Sequence, residues 1–329
     1  MIKQDGTAFT PQASSPETLG GPGQAPAAPR ALPWWMKLLP FFMSAILFLS
    51  AFFCIFAPVP VAALFFRSGR KAAWLAVFTN SALVFVAGGG VSASIYFIFI
   101  AALALVMSEL FLRKKSIEKT AVYTLLAIAA LSAAGIGAYS RYYHVSPARE
   151  LKQQVSTLVD SLAQQMKQAD TSSSNRLEPA DLEEWKESVM TQFPSVLGIF
   201  ALVLVWANIV VLLRANPAAV RTNLGLGADF VRKWKAPEFL IWPTIASGAL
   251  LLFDAGPISL VAMNVFRFLM AIYAIQGISV LGFFFEVWGV RRILRWLGYL
   301  IALFLMMPLL LSLGFFDLWF DFRSKFRQS

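Results

Sequence analysis

Hydrophobic residues gather into eight long runs, roughly 37–57, 72–87, 93–112, 120–139, 195–213, 238–253, 259–286 and 297–315. Most approach the ~20 residues that a helix needs to cross a hydrocarbon core about 30 Å thick. The polar breaks between them alternate in charge. Arg67/Arg70/Lys71, Arg113/Lys114/Lys115/Lys119, Arg214 to Lys235 and Arg291/Arg292/Arg295 are basic, whereas Gly88–Ser92 and Asp254–Ile258 hold no Lys or Arg. Loops of a polytopic membrane protein alternate in this way because cytoplasmic loops retain cations. The pattern predicts an all-α integral membrane bundle of about eight full spans.

A ninth, shorter piece complicates the amino-terminal end. Pro58-Val59-Pro60 closes the first run, and Val61–Phe66 is too short to cross. Either the first helix crosses once and the amino terminus lies outside, or Pro58–Phe66 returns as a short or re-entrant segment and the terminus lies inside. Arg30 and Lys37 favour the second. Both topologies put the carboxyl tail outside by counting, against which stand Arg323, Lys325 and Arg327, partly offset by Asp317 and Asp321.

Five regions follow. Residues 1–33, rich in Pro, Gly, Ala, Ser and Thr, read as a disordered tail. Residues 34–139 form a first membrane half and 195–316 a second, followed by a tail at 317–329. Between the halves, 140–194 reads as a soluble amphipathic hairpin. Leu151, Val155, Leu158, Val159, Leu162 and Met166 recur at helical steps, Thr171–Asn175 breaks the pattern, and Leu182, Trp185, Val189 and Phe193 resume it. That hairpin either rests on the bundle or membrane surface or docks a protein partner.

Composition sharpens the class. The chain has 329 residues, 58% of them hydrophobic and 14% charged, against about 25% charged in soluble domains. The net charge of +10 does not imply nucleic acid, because fifteen of the 28 Lys and Arg sit in the four basic clusters. One cysteine, Cys54, is expected as a buried apolar thiol, and with one histidine, His144, the chain has no His/Cys set for zinc or haem. No cofactor is expected. No phosphate loop, paired intramembrane carboxylates or Ser/His arrangement suggests an enzyme. Glu109 and Glu286, beside basic clusters, are expected to pair with Arg113 or Arg291.

Polar side chains deep in lipid are expensive and therefore candidates for function. Asn80, Asn208, Asn264, Arg267 and Gln276 fall well inside their runs. At 100° per residue, Arg267 lies about 60° from Asn264 on a face shared with Ser279, Gly282 and Glu286. These five are candidate contacts for a solute, with Arg267 meeting an anionic group. The alternative is structural: Arg267 pairs with Asp254 or Asp317 or snorkels to the interface, and the amides tie helices together.

A resemblance adds a family. Phe230, Trp234, Pro237-Glu238 and Trp242, then Tyr273, Gln276 and Gly277, then the ending Leu313-Gly314-Phe315-Phe316-Asp317, Trp319-Phe320-Asp321-Phe322-Arg323, resemble bacterial YybS-like membrane proteins, a family without assigned activity. The resemblance implies family-motif roles for Trp234, Pro237, Glu238, Gly277, Asp317, Asp321 and Arg323. The Pro-broken first run and the basic turn at Arg67–Lys71 also resemble substrate-capture subunits of energy-coupling-factor transporters. Those subunits carry a small-residue docking motif that 38–57 lacks. The expected function is binding or transport of a small, anionic solute in a bacterial inner membrane. The alternative is a non-catalytic scaffold recruiting partners through 147–193.

Overall fold

The computed structural model describes residues 34–169, 179–215, 230–253 and 256–326. The amino-terminal tail, the Thr171–Asn175 break, Asp254 and Arg327 lie outside them. The chain divides into Met1–Leu38 and Leu39–Ser329. Of the first unit only Trp34–Leu38, the opening of α1, is described, and the second holds the bundle.

Every element among the described residues is helical: α1 (Trp34–Leu49), α2 (Pro58–Ile95), a π-helical turn continuing into α3 (Ala102–Leu112), α4 (Ile117–Tyr143), α5 (Pro147–Ala169), α6 (Pro179–Ala215), α7 (Phe230–Lys233), α8 (Ile241–Leu250), α9 (Pro257–Val287), α10 (Arg292–Phe304), α11 (Met307–Phe320) and α12 (Phe322–Lys325). Four stretches are long and apolar enough to cross a membrane, namely Cys54–Leu112, Ile117–Tyr143, Asp181–Arg214 and Pro257–Val287. A fifth arises if α10 and α11, bent by 97°, act as one span. The expected count of about eight is therefore not supported. The first run stops at Leu49, the sixth yields only the ten residues of α8, and the last is broken between α10 and α11. Ten residues of helix reach about 15 Å, half of a hydrocarbon core.

The longest stretch folds back on itself. Gly69 and Gly89 take φ of 86° and 76°, a region open to glycine without a Cβ clash. Arg70 meets Glu109 at 2.7 Å, and the two lie about equally far from Gly89. The arms on either side of Gly89 thus run antiparallel. The Ser44 hydroxyl donates to the Ala57 carbonyl at 2.6 Å, so the chain also reverses between α1 and α2. Val61, Phe65, Val77, Val84, Tyr96 and Leu103 form one core with Leu204, Ile209 and Leu212 of α6.

The basic clusters share one end. Glu109 accepts from both Arg70 and Arg113, joining the first two. Arg232 pairs with Glu286 beside the start of α10, joining the last two. The expected Glu286–Arg291 partnership is not the one formed. The carboxyl tail lies at this end too, because Arg323 donates to the carbonyls of Arg232 and Trp234 at 2.9 Å each. Placing it outside by counting was an error, and the cause is the bend between α10 and α11, which returns the chain. Cys54 is half-buried, not enclosed as expected.

The hairpin forms in part as its pattern implies. Val155, Val159 and Ala163 of α5 are buried, and Lys186 of α6 bridges Asp160 at 3.0 Å. Leu158 and Met166 stay exposed, at 57% and 54%. α6 then continues through Pro194 into its apolar stretch.

The tightest crossing joins α9 and α11. A Cβ on Gly277 would overlap the Leu310 carbonyl, and one on Gly314 the Tyr273 carbonyl. Gly277→Ala or Gly314→Ala is expected to cost about 1–3 kcal/mol or more by overpacking, seen as a lower Tm in detergent. Gly137→Ala, with open space around it, should leave Tm unchanged, and equal values for all three would refute the crossing. In a Cys54→Ser background, Lys114→Cys, Arg292→Cys and Lys325→Cys should label from one side of the membrane and His144→Cys from the other. Labelling of position 325 together with 144 would overturn the returned tail.

Candidate functional site

Water is missing from a bilayer core, so an interrupted helix needs other partners for its freed backbone groups. The intramembrane amides supply them. In α6, Pro194 has no N–H and its ring displaces the preceding turn. Asn264 of α9 fills the gap: its Oδ1 accepts from the Ser195 N–H at 2.9 Å and its Nδ2 donates to the Thr191 carbonyl at 2.9 Å. Thr191 and Ser195 would otherwise bond each other, so the carboxamide stands in for one helical rung.

Asn80 brackets α1 with the same pair of bonds, though no proline lies between the two bonded residues there. It accepts from the Ala45 N–H at 2.7 Å and donates to the Phe41 carbonyl, again an i, i+4 pair. Asn208 Nδ2 donates to Ile55 in the turn between α1 and α2, and to Leu204, both at 2.7 Å. Its Oδ1 is buried without a partner. Gln276 accepts from the Ala236 N–H at 3.1 Å, where residues 234–237 form no helix between α7 and the turn before α8.

Of the five candidate solute contacts, Asn264 and Arg267 line one pocket, and Asn80, Asn208 and Gln276 do not belong to it. That pocket, of about 520 Å³, opens between α6 and α9 at the end away from the basic loops. Ser188, Thr191 and Gln192 form one wall and Leu252, Phe253, Leu260 and Met263 the other. Asn264 is committed to α6, and Ser259 donates to the Phe253 carbonyl. Arg267 is half-buried and has no hydrogen-bond or ion-pair partner among the described residues. Asp317, one of its two expected partners, is bound elsewhere, and the other, Asp254, lies outside those residues. The pocket therefore offers one cation against an apolar wall, an arrangement suited to a small anion with apolar parts.

A second polar cluster closes the basic end. Asp317 Oδ2 accepts from Arg323 Nη2 at 2.6 Å and from Gln276 Nε2 at 3.0 Å. Both side chains of the ion pair are buried, at 0% and 7% exposure. Asp317 Oδ1 and Arg323 Nε are left without partners. Lys235 binds Asp321 at 2.6 Å and holds its carboxyl below the usual carboxylate range. The motif residues thus meet: Asp317, Asp321 and Arg323 clamp the segment around Trp234, Pro237 opens the turn before α8, and Gly277 seats α11. Glu238 is exposed. A buried pair of this kind adds little net stability, but removing one member strands the other at a cost of about 3–5 kcal/mol.

Sequence reading found the polar residues and the local Glu109–Arg113 pair, which forms at 2.9 Å, but not the long-range pairings. Arg70–Glu109, Arg232–Glu286 and the Thr244–Tyr273 hydroxyl contact at 3.2 Å join positions far apart in the chain. Pro194 was the one local signal that an outside group must complete α6.

These features define a multi-helix membrane protein whose interior polar groups cluster at helix breaks. The chain belongs to the family described as predicted membrane protein DUF2232, whose model matches residues 38–318. That family carries no assigned function. No curated protein and no solved structure matches the chain.

The rung made by Asn264 is testable by a double-mutant cycle. Asn264→Ala should cost about 1–3 kcal/mol with Pro194 in place, because buried groups lose their partners. In a Pro194→Ala background, where Ser195 N–H can reach the Thr191 carbonyl, the loss should be much smaller. Unfolding in detergent measures both, and strictly additive effects would rule out the bracket.

Proposed function

We propose that this protein binds a small anionic solute in the pocket at Arg267, as a carrier or capture protein of a bacterial inner membrane. The observation that carries the reading is a cation within a membrane helix, facing a pocket of about 520 Å³ with no anionic partner among the described residues. An intramembrane arginine is costly unless something compensates it. The apolar wall from Leu252 to Met263 favours a solute with a hydrocarbon part. The resemblance to YybS-like proteins leaves the activity open. The resemblance to energy-coupling-factor capture subunits fits solute capture, yet the missing docking motif in 38–57 leaves no energy source to infer. No step here calls for a cofactor or for enzyme chemistry.

A second reading, a scaffold acting through 147–193, is favoured by Leu158, Leu162 and Met166, which stand exposed on α5. One experiment separates the two. Purified protein is heated with a panel of monocarboxylates, dicarboxylates and inorganic phosphate. A bound anion at about 100 times its Kd stabilises by ~2.7 kcal/mol, and Arg267→Gln should abolish that shift while Asp254→Asn should not. If no anion shifts Tm and deletion of 147–193 removes co-purifying protein, the scaffold reading replaces the first.

A further inference from the structure

The end of the molecule opposite that pocket carries an arrangement of charge that neither reading uses. Arg214 closes α6, Arg232 lies in α7 and Arg295 in the first turns of α10. Arg295 stands one turn before Tyr299 on α10, Arg232 meets the same glycine as the Tyr299 hydroxyl, and the field of Arg214 also reaches that hydroxyl. The glycine is Gly282, and the Tyr299 oxygen is pressed against it. Glu286 neutralises Arg232, and Arg295 spends its Nε on the Val290 carbonyl at 2.7 Å. Arg214 and Arg295 have no carboxylate partner among the described residues. The Tyr299 hydroxyl likewise has no hydrogen-bond partner there.

Like charges gathered around a half-buried hydroxyl repel one another, and an anion relieves that repulsion. The neighbouring surface says what kind of anion. α10 has no buried residue, and Ile293, Trp296, Leu300 and Phe304 are exposed along it. An apolar helical face starting at a basic turn matches a segment lying in the headgroup layer, cations at the phosphates and side chains among the acyl chains. An indole at that depth is in its preferred layer.

We propose that Arg214, Arg232, Arg295 and the Tyr299 hydroxyl cradle the phosphate of an anionic phospholipid from the leaflet at the basic end, with its acyl chains along the exposed face of α10. Guanidinium groups suit this role because their N–H forks match phosphate oxygens. Basic pockets between helices on the cytoplasmic side are where anionic headgroups are held.

The test uses the full-length protein in nanodiscs of phosphatidylcholine, titrated with phosphatidylglycerol and followed by Tm and by native mass spectrometry of retained lipid. Wild type should be stabilised by phosphatidylglycerol and retain it in preference to phosphatidylcholine. Arg214→Gln/Arg295→Gln should weaken retention at least tenfold, and Arg149→Gln/Lys152→Gln, at the hairpin, should not. Equal retention of the two lipids by wild type would overturn the proposal, as would unchanged retention in the arginine variant. A shift by inorganic phosphate as large as that by phosphatidylglycerol would also overturn it, since the site would then take a free anion. If the double variant fails to fold in phosphatidylcholine, Tyr299→Phe and the wild-type lipid preference decide. Loss of preference in Tyr299→Phe supports the cradle, and absence of preference in wild type ends it.

Discussion

The constraint on which this structure depends is that a peptide group in hydrocarbon has no water to bond. Each unsatisfied backbone group there costs several kcal/mol, so a helix interrupted within the membrane must borrow a donor or acceptor from a neighbour. Asn264 at Pro194, Asn208 at Ile55 and Gln276 at Ala236 are such loans, and Asn80 adds a bracket between Phe41 and Ala45. An interhelical hydrogen bond in a membrane contributes only about 0.6 kcal/mol on average. These bonds matter more than that mean suggests, because the alternative is an exposed rung and not an equivalent bond elsewhere. Each also fixes which two helices meet and at what height.

Charge then sets the direction of the bundle. Glu109 is held by Arg70 and Arg113 from two basic clusters and Glu286 by Arg232 from a third, so the acids serve as pins that collect basic segments at one end. The tail joins them through Arg323 and through Lys235–Asp321. Exposed pairs contribute at most about 1 kcal/mol each, and their value here is in register. The buried Asp317–Arg323 pair works differently. Through Arg323 it ties the tail to the Arg232 and Trp234 carbonyls, so the carboxyl tail is a structural part of the bundle's basic end.

Much of this was readable from residues in order. Alternating apolar runs and basic clusters reported lipid as the solvent, and the glycines at 88–90 and the prolines at 58–60 marked reversals that the backbone makes. What counting could not detect was whether an apolar run keeps one direction. Runs 238–253 and 297–315 have the composition of spans, yet α8 is short and α10 and α11 are bent against each other. Nothing local distinguishes a full crossing from a half crossing, because both must be apolar where they meet lipid. The site was legible in the same measure. Depth singled out Asn80, Asn208, Asn264, Arg267 and Gln276, whereas their partners are backbone atoms from other segments, and backbone atoms leave no mark on a sequence.

The contrast between two arginines separates architecture from candidate function. Arg323 is buried, faces a carboxylate at 2.6 Å and caps two carbonyls; its charge is balanced, and its position is explained by what it holds. Arg267 sits on a helix long enough to cross the membrane, one turn from an asparagine whose hydrogen bonds are committed, and opens onto a cavity. A cation whose only purpose was packing would be better replaced by Met or Leu, since burying a charge without compensation costs more than its stem contributes. The asparagine beside it accounts for the helix contact, and the guanidinium is the group on which the proposed solute reading rests.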